Sequence, residues 1–184
     1  MVSLPALNQV ISIASDYQRL EWRLGGPNAT IVPDPSGEFW FQHTAQEIAP
    51  NRLLLFDNGR DRPGKLFSRA LELVLDPAMG TAAKAWEFRP TPDVYAPIVG
   101  SARRLKDGPT LVDFGTRPGV LGSSGPIVVY EVGPDGLPTW SLRVVGGELL
   151  NYRATPMDDL AGETVVPQRS QPSARPALFD HRRD

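Results

Sequence analysis

One histidine and two arginines, His43, Arg60 and Arg62, lie close together in the chain and carry the side chains best suited to chemistry. An imidazole exchanges a proton near neutral pH, and a guanidinium presents a planar fork that matches an oxyanion. His43 sits in the run Gln42-His43-Thr44-Ala45, and the arginines follow Phe56-Asp57-Asn58-Gly59. Arg60, Arg62 and the nearby Arg69 can line an anion pocket. They can equally solubilise a loop in which Asp57 and Asp61 are partners of small energetic value. For His43 the plainer alternative is a strand-end histidine bonded to a neighbouring carbonyl. The second histidine, His181, lies near the C-terminus among arginines and is expected to be solvated and without function. Asp57-Asn58 is accounted for as part of a turn, so no metal site is expected.

The elements that must position these groups read as β-strands. Alternation around Phe39 and Phe41 and the apolar run Leu53-Leu54-Leu55-Phe56 predict neighbouring strands, and Asn58-Gly59 predicts a tight turn with positive φ. His43 is then expected at the end of one strand, facing the end of the next, where β-architectures commonly place ligand sites. Three segments share a further plan, an apolar run and a turn followed by a strand carrying Trp22, Trp86 or Trp140. The pattern recurs at roughly 55–65 residues, the size of a propeller blade. The alternative is three unrelated hairpins in a β-sandwich, with each tryptophan filling a core.

The chain of 184 residues fits one domain or part of a larger one. Its 17 glycines and 19 prolines make turns dense and disfavour a helical bundle. A net charge of -2 gives no electrostatic case for nucleic-acid binding, and no stretch is apolar enough to span a bilayer as a helix. With no cysteine there is no thiolate nucleophile and no disulfide framework. The N-terminal run shows no secretory signal, and the polar, proline-rich segment 162–184 is expected to form a flexible tail after a folded region 1–161.

The order Trp22-Arg-Leu-Gly-Gly26, Gln42-His-Thr-Ala45, Leu53-Leu-Leu-Phe-Asp-Asn-Gly59, Ser68-Arg-Ala-Leu-Glu-Leu73, Ala85-Trp-Glu-Phe88, Tyr95 to Leu105, and Asn151-Tyr-Arg-Ala154 resembles the arylsulfotransferase family. The resemblance runs from about Asn8 to about Asp159. It implies an all-β, six-bladed propeller that moves a sulfuryl group from a phenolic sulfate ester to another phenol without a nucleotide donor or other cofactor. About half of the ring is expected here, the outer half of one blade and about two further blades. The expected small-molecule partner is an aryl sulfate or a phenol. An unclosed arc also predicts self-association or pairing with missing blades.

By position, the resemblance implies catalytic roles for His43 and Arg62, with Arg60 as the alternative cation if the loop is shifted. Tyr95, Tyr152 and Arg153 fall in matching segments and are expected either to bind substrate or to pack between blades. The family's covalent sulfuryl carrier is a further histidine in the loop of the next blade, and Asp113 to Val129 contains none. Sulfuryl transfer through a sulfohistidine is therefore expected to be impaired. The alternatives are a non-catalytic binding module or a truncated fragment. Members of the family are commonly exported, but the compartment of this chain stays open.

Overall fold

The structure, a computed structural model, describes residues 1–145 and 150–157. The expected tail, His181 included, lies outside the described residues. The described residues are all-β, and their strands form three sheets, none of them closed. The first sheet is β1 (Val2–Leu4), β2 (Gln9–Ile13) and β3 (Leu20–Leu24), in that order. Next come the short β4 (Val32–Pro33) and then β5 (His43–Ala49), β6 (Arg52–Asp57), β7 (Arg69–Asp76) and β8 (Thr81–Phe88). These build an antiparallel meander whose far edge takes β4 in parallel. The third sheet is the meander β9 (Ser101–Arg104), β10 (Thr110–Phe114), β11 (Ile127–Val132) and β12 (Pro138–Val144).

The three tryptophan hairpins form as the sequence predicts, β2 with β3, β7 with β8, and β11 with β12. The first sheet has three strands where two were read, because β1 pairs with β2. The stretch around Phe39 and Phe41 is not a strand. Phe41 has a φ of 54°, and its amide bonds the side chain of Asn8, so it does not enter a ladder.

Two cores explain why the middle strands are apolar on both faces. Side chains alternate across a strand. Leu53 and Leu55 of β6 and Leu71, Leu73 and Leu75 of β7 join Val10, Leu24, Ile31 and Phe39 in one cluster. Leu54, Phe56 and Ala70 join Ala102, Val112, Phe114 and Val128 in the other. The middle sheet is thus sandwiched between its neighbours. Trp22 packs on the first cluster and Trp86 on the second, whereas Trp140, on the edge strand β12, is 50% exposed.

The first strands of the sheets are neighbours in space, with β5 against both β1 and β9. Polar groups join them. Ser3 and Gln42 exchange hydrogen bonds, the Ala102 amide donates to Thr44 Oγ1, and Gln46 Nε2 donates to the Ala102 carbonyl.

Candidate functional site

His43 opens β5; it does not end a strand. It pairs across the ladder with Phe56, next to Asp57 at the end of β6. The register slips between His43 and Gln46, and Thr44 has a φ of 50°, so a local bulge re-aims the backbone beside the imidazole. His43 is partly buried, and its Nδ1 lies 2.7 Å from Asn58 Oδ1 and 3.3 Å from the Phe41 carbonyl oxygen.

Asp57 and Asn58 do more than make a turn. Both are fully buried. Asp57 Oδ1 accepts from the amides of Trp40 at 3.0 Å and Gly59 at 3.1 Å. Its Oδ2 accepts from Arg62 at 2.5 Å and Arg69 at 3.0 Å. The Asn58 amide donates to the carbonyls of Ala96 and Val99, each at 2.7 Å. Gly59 is required here, because a Cβ on its φ of +70° would lie 2.0 Å from the Phe67 carbonyl oxygen. The signal was visible in Phe56-Asp57-Asn58-Gly59. What the sequence did not reveal was that the two polar side chains point inward.

The two arginines of the loop part company. Arg62 turns inward, its side chain 9% exposed, paired to Asp57 and stacked on Trp40 and Phe67 at 4.6 and 4.1 Å from the ring centres. Burial pulls its pKa below the ordinary arginine value, and Asp57 offsets that pull. Arg69 is likewise buried between Asp57 and Glu87. Arg60 stays half-exposed, 4.6 Å above the Phe41 ring and 3.7 Å from the exposed carboxylate of Asp61. The Phe41 ring in turn lies 5.8 Å from the His43 ring.

Tyr95 lies within reach of the charges of Arg60 and Asp61. It is buried, and burial raises its phenol pKa, with the Asp61 charge adding to the rise and the Arg60 charge opposing it. His43, Phe41 and Arg60 form one connected cluster at the His43 end of β5. Tyr152 and Arg153 do not touch it. Tyr152 is exposed, and its carbonyl accepts from the Gly100 amide at 3.2 Å. Arg153 lines a cavity of about 170 Å³ at the seam of β5 and β9, together with Thr44, Gln46, Ser101 and Arg103. Among the described residues no group of three or more His, Cys, Asp or Glu side chains is placed to hold a metal. No helix among them is long and apolar enough to cross a membrane.

The imidazole can exchange a proton, Arg60 can neutralise an oxyanion, and the Phe41 ring lies beside both. A family model for arylsulfotransferase (ASST) matches residues 2–124, which span every member of that cluster. The chain belongs to the arylsulfotransferase family. No curated protein matches it.

Proposed function

We propose that this chain is about half of a six-bladed propeller and binds an aryl sulfate at the cluster of His43, Phe41 and Arg60. The three sheets are three successive blades, and support for this comes from the contacts of β5 with β1 and β9, the arrangement of inner strands around a shared axis. The observation that carries the functional reading is the family match over a site where an imidazole and an arginine flank the same aromatic ring.

Sulfuryl transfer needs fixed donors for the sulfuryl oxygens and a group that handles the phenolic proton. Arg60 is the accessible cation for the first task. Arg62 contributes through the loop it anchors, and its own charge clamps the site only to the extent that Asp57 leaves it unneutralised. His43 exchanges the proton. Phe41 offers a ring face to the aryl group, and Tyr95 supports the loop behind it. The segment Asp113 to Val129 supplies no histidine to carry the sulfuryl group, which favours a site that binds the ester and turns it over poorly. That same observation supports the second reading, a non-catalytic module that recognises aryl sulfates or phenols.

Calorimetric titration of phenyl sulfate into the wild type and the His43→Ala, Arg60→Ala and Arg62→Ala variants, beside a turnover assay with a phenol acceptor, tests the proposal. The expected outcome is weak turnover, with binding lowered by about 1–3 kcal/mol in each of the first two variants. Binding that ignores both His43 and Arg60 would overturn it.

A further inference from the structure

His43 Nδ1 faces two oxygens, Asn58 Oδ1 at 2.7 Å and the Phe41 carbonyl at 3.3 Å. A carbonyl oxygen only accepts, so a nitrogen held between two of them must carry the proton. The orientation of the Asn58 amide is itself determined. Its NH2 group donates to Ala96 and Val99 at 2.7 Å each, and turning the amide over would set its oxygen against two carbonyl oxygens in a fully buried place. The backbone supports the same arrangement at some cost. Val99, β-branched, is held at a φ of 56°, and Phe41 at 54°.

We infer that Asn58 is a positioning residue that holds neutral His43 as its Nδ1–H tautomer and so commits Nε2 as the nitrogen that takes the proton in the site. Free histidine prefers the opposite tautomer, with its proton on Nε2. Asn58 reverses that preference and anchors the ring to the loop from Tyr95 to Gly100, the same loop that presents Tyr95 and bonds Tyr152. The reaction that would use this lone pair rests on the function proposed above. The tautomer does not.

The chain has two histidines, so a His181→Ala variant labelled with 15N-histidine reports His43 alone. Above the imidazole pKa its spectrum is expected to show a protonated Nδ1 and an unprotonated Nε2. The reverse pattern, or an averaged mixture, would overturn the inference whatever any variant does. Asn58→Leu removes the acceptor and should move the proton to Nε2. An unchanged spectrum in a folded Asn58→Leu protein would remove Asn58 from the role, and if that variant does not fold, the wild-type spectrum decides. Loss of aryl sulfate binding in the titrations above would refute the functional reading without altering this spectrum, so the two failures are distinguishable.

Discussion

Asp57 and Asp113 stand near the ends of the second strands of neighbouring sheets, and both are 0% exposed. Their surroundings are opposite. Asp57 accepts four hydrogen bonds, two of them from arginines. Neither oxygen of Asp113 has a hydrogen-bond partner of good geometry, and burial pushes its pKa up to about 7, with Asn151 and the Ala154 backbone pulling weakly the other way. The difference is one of register. In the middle sheet His43 pairs with Phe56, and in the third sheet Ser101 pairs with Asp113. The two aspartates are therefore one residue out of step and point to opposite faces of their sheets. One face offers a loop of arginines, and the other is covered by the uncharged backbone around Asn151 to Ala154.

Breaking the saturated member of the pair should have the largest effect. Asp57→Asn leaves Arg62 and Arg69 buried against a neutral amide, and a loss of about 3–5 kcal/mol in denaturant unfolding is expected. A change below about 1 kcal/mol would show that the arginines find other partners.

Asp113 gives a pH dependence of opposite kind to ordinary acid denaturation. Its native pKa lies above the unfolded value, so between about pH 4 and pH 7 the native state binds more protons than the unfolded one, and stability falls as pH rises. The upper bound is roughly 4 kcal/mol, reached above pH 7, less whatever the covering segment recovers by loosening. Asp113→Asn should flatten this slope and make the protein more stable than wild type at pH 8. Unfolding curves from pH 4 to 8 for both proteins measure it, and parallel curves would sink the assignment.

Smaller still, Arg62→Lys keeps a charge for Asp57 but loses the planar stacking on Trp40 and Phe67, at a cost of about 1–2 kcal/mol by thermal unfolding. Arg60→Ala should change stability by no more than about 0.5 kcal/mol, because its contact with Asp61 is long and exposed. A stability loss as large as that of Arg62→Lys would mean that Arg60 belongs to the Asp57 framework, not to the open cluster at His43.

The repeated tryptophan hairpins and the strand Arg52–Asp57 were legible because alternation and turn residues are local signals. The stretch from Phe39 to Gln42 was misread for the same reason. It alternates like a strand, yet Asn8 and Asp57, distant in sequence, capture its amides. His43, Arg60 and Arg62 were legible as reactive types. Which arginine stays open to solvent was not, because that depends on a carboxylate whose direction no local pattern encodes.

By itself the sequence determined an all-β chain built from hairpins, its membership of the arylsulfotransferase family, and the set of groups able to bind a sulfuryl oxygen. Tertiary structure decided the rest: that Asp57 draws Arg62 inward and leaves Arg60 outside, that Asn58 meets His43 on one side and the loop from Ala96 to Val99 on the other, and that Asp113 is buried without a charged partner. The physical reason is that strand identity follows from side-chain period, whereas the fate of a polar group depends on register and on which distant donors reach it once water is excluded.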